Sequence, residues 1–351
     1  MTGAAFAPWQ QRIYDQAAAA FDGGRLGHAL LFCGPAQLGK RAVAERLAQR
    51  VLCQARAAGD EPCGTCRSCT LYLSRSQGDP MELRPDGTPA HPSGKPGHPD
   101  VWFVGYALNE KSGKPRTEIV IEQIRELSQK LSLTPQLGTA QVAIVEPADA
   151  INHAACNALL KTLEEPRPGR HLWLVSADPA RLPATIRSRC QKLEFRLPPH
   201  AEALAWLHAQ GHDAAAAAEA LAAARGHPGL ADAWLRDGSL ALRREVADDL
   251  ARLARGQASA AATAQRWVAD EQAALRLRFA TDLALHEATG LATALRLTDV
   301  GRTRRLAAWF DAANRTRALL RTTVRAELAV AELLLAWQAA GERGRMSGEQ
   351  N

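Results

Sequence analysis

The stretch LLFCGPAQLGKRAV, which begins at Leu30, constrains the fold more than any other segment. It joins an apolar run to a glycine loop and then to a helical pattern, in which Val43, Leu47 and Val51 recur every four residues. This order predicts a buried strand, a turn and an amphipathic helix. Such loops bind phosphate groups because backbone N–H groups and a helix N-terminus converge on the anion.

The loop fits the phosphate-binding pattern up to its last position. Gly34, Gly39 and Lys40 occupy the required places, but Arg41 stands where the pattern has Ser or Thr. That hydroxyl normally ligates Mg²⁺, and a guanidinium group cannot coordinate a cation. The retained Lys40 leaves ATP or ADP binding by this chain open.

The set of acidic residues that a nucleotide hydrolase needs is also incomplete. The apolar strand QVAIVE ends at Glu146, a candidate Mg²⁺ ligand, but Pro147 follows and carries no carboxylate to activate water. We therefore expect no ATP hydrolysis by this chain.

A cysteine cluster follows the glycine loop. Three thiols are separated by two residues each: Cys63, Cys66 and Cys69. This spacing lets successive sulfurs reach one tetrahedral Zn²⁺ at ~2.3 Å. Cys53, ten positions upstream, is the best fourth ligand, with His98 and His91 as alternatives. Four protein ligands leave no open position, so the predicted zinc is structural.

The overall composition excludes some classes of protein. No segment approaches the ~20 uninterrupted apolar residues of a membrane span, and the N-terminus lacks the pattern of a secretory signal. We therefore expect a cytoplasmic protein without membrane contact, in which thiols stay reduced. A net charge of +6 favours anionic partners such as nucleic acid.

The pattern of elements changes near residue 200. Before it, apolar strands alternate with helices, including predicted helices over 8–23, 117–133 (with Thr117 as N-cap) and 149–165. This alternation predicts a parallel sheet covered by helices on both faces. Beyond it, the chain is rich in Ala, Leu and Arg with helical spacing. The predicted fold class is α/β followed by all-α.

Several motifs together carry a family resemblance. HALLFCGPAQLGK, the cysteine cluster, HPDV, NALLKTLEEP and LPATIRSRCQKLEF occur in that order. The chain resembles the clamp-loader subunits of bacterial DNA polymerase III, which are AAA+ proteins, and within them the delta prime type more than the ATP-hydrolysing gamma/tau type. The resemblance is strong over residues 8–197.

The resemblance implies a domain organisation. The implied parts are an AAA+ P-loop domain (1–197), a helical lid (198–240) and a helical oligomerisation collar (241–343). The cysteine spacing predicts a zinc module (53–69) within the first domain, and the composition predicts a Pro/Gly-rich surface insertion (75–100) and a disordered tail (344–351). The segment ARGHPGLAD lacks the arginine that ATP-hydrolysing members place near their lid glycine.

The resemblance also implies roles for particular residues. In SRC, Ser188 and Arg189 match the family's arginine-finger motif, which would act in trans on the ATP of a neighbouring subunit. Ser176 matches the polar sensor position. The implied partners are gamma/tau and delta in a heteropentamer that loads the sliding clamp onto primed DNA. The chain would thus be a subunit of the DNA-directed DNA polymerase III holoenzyme.

Direct DNA contact is expected near Lys114, Arg116 and Thr117, because cations beside a helix N-terminus suit backbone phosphates. Two other functions stay open at this point. One is an autonomous P-loop ATPase of the gamma/tau type, and the other is a zinc-stabilised DNA-binding module.

Overall fold

The architecture comes from a computed structural model. It describes residues 5–57, 59–78, 81–85, 87–109, 113–293, 300–320, 322 and 324–346. The chain divides into two compact units. The first runs to Ala209 and includes Gly226–Gly229, and the second comprises Gln210–Arg225 and the chain from Leu230 onward.

The first unit is built on β-strands. Those in its described residues are β1 (Ala29–Cys33), β2 (Arg75–Ser76), β3 (Lys95–Pro96), β4 (Val101–Val104), β5 (Gln141–Val145), β6 (Arg170–Ser176) and β7 (Gln191–Glu194). Five of them form a parallel sheet in the order β4-β5-β6-β1-β7, and β2 pairs with β3 in an antiparallel ribbon. Every residue of β1 and β5 is buried, as expected for strands covered on both faces.

Helices cover both faces of this sheet. They are α1 (Pro8–Asp22), α2 (Lys40–Leu52), α3 (Arg67–Leu73), α4 (Ile121–Ser132), α5 (His153–Glu164), α6 (Ala184–Arg187) and α7 (His200–Ala209), with short 3-10 turns at Ala148–Ala150 and Pro179–Arg181. One core cluster joins Leu47 of α2 to Phe32 and Trp173, and the other joins Leu159 of α5 to Leu31. Fully burying each such side chain contributes about 1.5–3 kcal/mol.

Beyond residue 209 the described chain is helical. The helices are α8 (Ala214–Ala223), α9 (Pro228–Arg236), α10 (Ser239–Ala254), α11 (Ala260–Val268), α12 (Ala273–Thr293), α13 (Val300–Leu319) and α14 (Ala326–Met346). Buried tryptophans hold the second unit together. The indole N–H of Trp267 donates to Asp249, that of Trp309 to the Leu333 carbonyl, and that of Trp337 to the Leu250 carbonyl.

The predicted fold class, α/β followed by all-α, is confirmed. No helix in the described part of the chain has both the length and the apolarity to cross a membrane. The lid and collar boundaries stay predictions. Of the expected tail, residues 344–346 belong to α14, and residues 347–351 lie outside the described residues.

One predicted helix start is wrong. The sequence favours Thr117 as an N-cap, but α4 begins at Ile121 with Val120 as its N-cap residue. Ile119 instead forms a parallel bridge with Ile151 and is fully buried. Because this tertiary pairing keeps the backbone extended at Ile119, the helix starts four residues after Thr117.

Candidate functional site

The glycine loop lies between β1 and α2, and its backbone conformation requires glycine at positions 34 and 39. Gly34 has φ +132°, and a Cβ there would overlap the Phe195 carbonyl oxygen. Gly39 has φ +80°, and a Cβ there would overlap the Gln10 side-chain amide. Both positions therefore combine left-handed backbone with close approach, which glycine alone tolerates without strain.

Helix α1 holds the loop in place from the other side. The Trp9 indole N–H and the Gln10 amide both donate to the Leu38 carbonyl, at 3.2 and 3.1 Å. Gly229 also lies against the loop, since a Cβ there would overlap the Gln37 carbonyl oxygen. These contacts fix the loop within the first unit.

Lys40 is turned back onto its own loop. Its ammonium donates to the Gly34 carbonyl at 2.7 Å and to the Pro35 carbonyl at 2.5 Å, and the side chain is buried. Burial lowers the pKa of Lys40, although Glu146 and Asp149 partly offset this effect.

All three nitrogen atoms of the Arg41 guanidinium contact hydrogen-bond partners. Its Nε donates to Glu45 at 2.7 Å, one terminal nitrogen donates to Glu146 at 3.0 Å and to the Ala90 carbonyl at 2.9 Å, and the other lies 2.5 Å from His91 Nδ1. The guanidinium also sits over the Phe103 ring, 4.9 Å from its centroid. Burial alone would lower the pKa of Arg41, but the two carboxylates outweigh it and the pKa is raised.

This arrangement joins the two positions, 41 and 146, at which the sequence pattern would place ligands for Mg²⁺. The side chain that replaces the ligating hydroxyl forms an ion pair with Glu146, the acid at the end of β5, and the two side chains are only 18% and 21% exposed. A guanidinium that already neutralises this carboxylate competes with any divalent cation for it.

The Pro/Gly-rich insertion supplies two of these partners. β2 and β3 close its base, and Ala90 and His91 are buried against Arg41. His91 in turn pairs with Glu82, which also accepts from Lys95 at 2.5 Å. Hydrogen bonds from His91 and Lys95 lower the pKa of Glu82 to about 2. The insertion is therefore more than the surface segment expected from its composition.

Ser176, the predicted sensor residue, lies at the end of β6 and donates to Asp149 at 2.8 Å. Asp149 also accepts from the Ala177 backbone N–H at 3.0 Å. The serine is thus fixed by an acid at the same end of the sheet as the glycine loop.

The structure brings the four predicted cysteines together. The sulfurs of Cys53, Cys63, Cys66 and Cys69 all lie within 4.8 Å of one another. Cys53 Sγ is 3.6 Å from Cys63 Sγ and 4.0 Å from Cys66 Sγ, close to the roughly 3.8 Å edge of a tetrahedral zinc–thiolate site. This donor set could hold a metal ion.

Backbone N–H groups point at the sulfurs of the cluster. Those of Cys66 and Thr65 lower the pKa of Cys63 to about 6, whereas burial raises the pKa of Cys69 to about 12. The alternative ligands are engaged elsewhere, since His98 bonds to Ser68 Oγ at 2.8 Å and His91 contacts Arg41. Cys53 is therefore the fourth member of the cluster.

Arg189 lies far from the glycine loop of its own chain. It follows α6, and β7 begins two residues later with Gln191 beside Leu30 of β1. In a parallel sheet this is the amino end of the strands, whereas the glycine loop follows the carboxyl end of β1. Arg189 and the glycine loop therefore lie at opposite ends of β1.

The contacts of Arg189 are few. Its guanidinium donates to the Thr185 carbonyl at 2.9 Å and pairs with Glu164 at 2.7 Å, and these two charged side chains are 38% and 49% exposed. Ser188 is the C-cap of α6 and also donates to the Thr185 carbonyl. Within the described residues, Arg189 is a surface cation whose anionic partner is Glu164.

The residues predicted to contact DNA lie before α4. The Arg116 N–H donates to the Ala107 carbonyl, and the Asn109 N–H donates to the Lys114 carbonyl. Lys114 and Thr117 are exposed, and residues 110–112 lie outside the described residues. Lys114 and Arg116 lie on a hairpin-like segment, in which Leu108 and Pro115 form an antiparallel bridge, and Thr117 follows it at a bend, so none of the three lies in the first turn of a helix.

Similarity to known proteins identifies the family. The family described as "DNA polymerase III, delta subunit" matches residues 9–199. The chain is also 36% identical over 264 residues to the DNA polymerase III subunit delta' of Pseudomonas aeruginosa, an alignment that covers 74% of this chain and 70% of the relative. The chain belongs to the DNA polymerase III delta prime family. The predicted resemblance to this family is confirmed.

Two further similarities are more distant. The delta' subunit of Escherichia coli is 31% identical over 247 residues, covering 70% of this chain and 65% of the relative. Among solved structures, a gamma subunit-related protein of DNA polymerase III from Thermotoga maritima has a TM-score of 0.46 at 17% identity, covering 94% of this chain and 98% of that one.

Sequence reasoning missed Asp149 and the partners of Arg41 in the insertion. Asp149 follows β5 three positions after Glu146, so the acid-rich end of that strand could have revealed it. Ala90 and His91 carried no such signal, because they lie in a proline-rich segment without periodicity.

Proposed function

We propose that the chain is the delta prime subunit of a DNA polymerase III clamp loader and that it hydrolyses no ATP itself. The observation that carries this proposal is the ion pair between Arg41 and Glu146, backed by Glu45 and His91. Arg41 replaces the hydroxyl that would ligate Mg²⁺, and it pairs with Glu146, the remaining candidate Mg²⁺ ligand. Any nucleotide that the glycine loop binds through Gly34, Gly39 and Lys40 would lack its metal.

Arg189 is proposed to act in trans. As ATP is cleaved on a neighbouring gamma/tau subunit, negative charge spreads over the γ-phosphoryl oxygens, and a guanidinium delivered from outside stabilises it. The exposure of Arg189 and its distance from its own loop support this role. Glu164 would be exchanged for the phosphate when the subunits dock, while Ser188 holds the turn through Thr185.

The proposed partners follow from the family. The chain would contact gamma/tau and delta in a heteropentamer and would act on the sliding clamp and primed DNA through that complex, as part of the DNA-directed DNA polymerase III holoenzyme. Lys114, Arg116 and Thr117 are candidates for backbone-phosphate contacts. The helices beyond residue 198 are proposed as lid and collar. The cytoplasmic location stays a prediction.

The four cysteines are proposed to hold a structural Zn²⁺. Cys53, Cys63, Cys66 and Cys69 fill a tetrahedral set, and the ion would supply a rigid crosslink between the end of α2 and the start of α3. Ser68, within this module, shares a hydrogen bond with His98. The module would thereby anchor the end of the insertion.

Two measurements test the proposal. Purified chain should show no steady-state ATPase above that of a Lys40→Ala control, and it should co-elute with purified gamma/tau and delta in gel filtration. Robust turnover that Lys40→Ala abolishes would favour the autonomous ATPase instead. Tight DNA binding by the isolated chain without a stable complex would favour the DNA-binding module.

A further inference from the structure

Strand β4 lies at one edge of the five-stranded sheet, with β5 on its other side. The carbonyls of Asp100 and Val104 accept hydrogen bonds from β5 and from the residue that follows it. Backbone groups point to alternate sides along a strand. The odd-numbered residues Val101, Phe103 and Gly105 therefore turn their N–H and carbonyl groups to the open edge.

The two ends of this open edge are closed by the chain itself. The Val101 N–H donates to the His98 carbonyl at 3.3 Å. The Gly105 carbonyl accepts from the Gln123 side-chain amide at 2.9 Å. Between these ends, the Val101 carbonyl, both backbone groups of Phe103 and the Gly105 N–H have no hydrogen-bond partner among the described residues. Donors and acceptors in this order match the main chain of one added strand.

A groove runs along the same edge. It is lined by the consecutive residues 102–107, whose side chains alternate between the two faces of the sheet, so it lies beside the strand rather than over one face. One wall is a face of α4 and the other belongs to the insertion. The wall residues are Gln123, Glu126, Leu127, Lys130, Glu82 and Lys95. The groove has a volume of about 220 Å³. Because small-molecule pockets begin at roughly 300 Å³, this size favours a short piece of main chain over a cofactor.

The charges of the walls cancel one another. Glu82 pairs with Lys95 at 2.5 Å in the insertion, and Glu126 pairs with Lys130 at 2.7 Å on α4. Between the walls, Trp102 is half-buried and packs against the core on the α4 side. The groove therefore favours an uncharged segment with an apolar side chain.

The edge itself carries none of the usual protection against pairing. Its sequence, VWFV, is β-branched and aromatic, without the lysine or proline that often blocks an edge strand. The walls restrict access instead. Paired strands lie about 4.8 Å apart, so a second folded copy would bring its own α4 and insertion against these walls. A lone extended segment avoids that collision.

We propose that this groove binds an extended, uncharged segment of a partner protein as an added strand beside β4. The main chain of the segment pairs with Val101, Phe103 and Gly105 over about three to five residues. One of its apolar side chains lies beside Trp102.

The test uses the full chain and a fluorescein-labelled pentapeptide of alternating valine and threonine, followed by anisotropy. Two further peptides carry N-methyl groups on the odd-numbered or on the even-numbered residues. Alternate amides of an extended peptide point to opposite edges, so only one of these isomers keeps its N–H groups towards β4. We expect that isomer to bind like the parent peptide and the other to bind roughly tenfold more weakly.

A variant of the chain tests the groove from the other side. Glu126→Trp places a large side chain in the α4 wall and should weaken binding of the parent peptide roughly tenfold. The matched control is Glu122→Trp, which makes the same substitution at an exposed position of α4 that does not line the groove. It should bind like wild type. In wild-type chain, hydrogen exchange at the Phe103 and Gly105 amides should be fast without peptide and slow with it.

Several results would overturn the proposal. They are an absence of binding of the parent peptide to wild-type chain, equal binding of the two N-methylated isomers, and an equal loss in Glu122→Trp. Slow exchange of the Phe103 amide without peptide would assign the edge to a segment of this chain. Dimerisation of wild-type chain that Glu126→Trp abolishes would assign it to a second copy.

Discussion

Arg41 and Arg189 carry the same charge at opposite ends of one sheet, in contrasting surroundings. Arg41 is largely buried and holds two carboxylates, a carbonyl and an imidazole. Arg189 is exposed and holds one carboxylate and one carbonyl. A guanidinium whose donors are used inside the chain cannot serve a ligand, whereas an exposed ion pair exchanges partners at little cost. The comparison assigns a structural role to Arg41 and leaves Arg189 available to another molecule.

The largest expected effect comes from the cysteine cluster, which we propose anchors the insertion that contacts Arg41. Cys66→Ser should reduce zinc from about one per chain to nearly none, measured by elemental analysis. Hydrogen exchange should then rise in residues 87–98 but not in residues 184–190. Cys156→Ala, which removes a buried thiol outside the cluster, should keep its zinc. Full zinc content in Cys66→Ser would rule out this cysteine as a ligand.

The next largest effect is the difference in stability loss between Arg41→Ala and Arg189→Ala. Arg41→Ala leaves Glu146 and His91 without their shared partner, so it should lower the free energy of unfolding by about 2–4 kcal/mol. Arg189→Ala should lower it by less than about 1 kcal/mol, because its ion pair is exposed. Urea denaturation of the two variants, followed by tryptophan fluorescence, measures both values. Equal losses would contradict the contrast between the two sites.

The smallest expected effect is a pH-dependent contribution of Glu82, in the insertion, to the stability of the fold. The pKa of Glu82 is lowered to about 2 from its ordinary 4.5 by His91 and Lys95. Ionised Glu82 therefore stabilises the folded chain above about pH 4.5, and this contribution declines as the pH falls towards 2. Since Glu82 is partly exposed, we expect about 1 kcal/mol at neutral pH.

Glu82→Gln measures this contribution. The stability difference from wild type should be largest near neutral pH and should shrink below pH 4.5. Glu126→Gln, which removes an exposed carboxylate paired with Lys130, serves as the control and should show little difference at any pH. A difference for Glu82→Gln that grows on acidification would mean that the pairing does not stabilise the fold.

The sequence predicts the elements whose signals are local. Buried parallel strands such as β1 and β5 are continuous apolar runs, and the cysteine spacing brings its own ligands together. The predicted start of α4 is wrong because Ile119 pairs with Ile151, 32 positions away, and no local pattern records that contact. The contacts of Arg41 could not be predicted for the same reason, because its partners Ala90 and Glu146 are 49 and 105 positions away in the sequence.

The ATPase of a reconstituted clamp loader tests the central contrast most directly. It should be measured with clamp and primed DNA, using wild-type chain, Arg189→Ala and Arg196→Ala, the last being an exposed arginine paired with Glu194. An arginine finger contributes about 10³-fold or more to hydrolysis at the site it serves. We predict that Arg189→Ala assembles normally and abolishes the turnover of one ATP site, while Arg196→Ala matches wild type. Unchanged turnover in assembled Arg189→Ala loader would contradict the account.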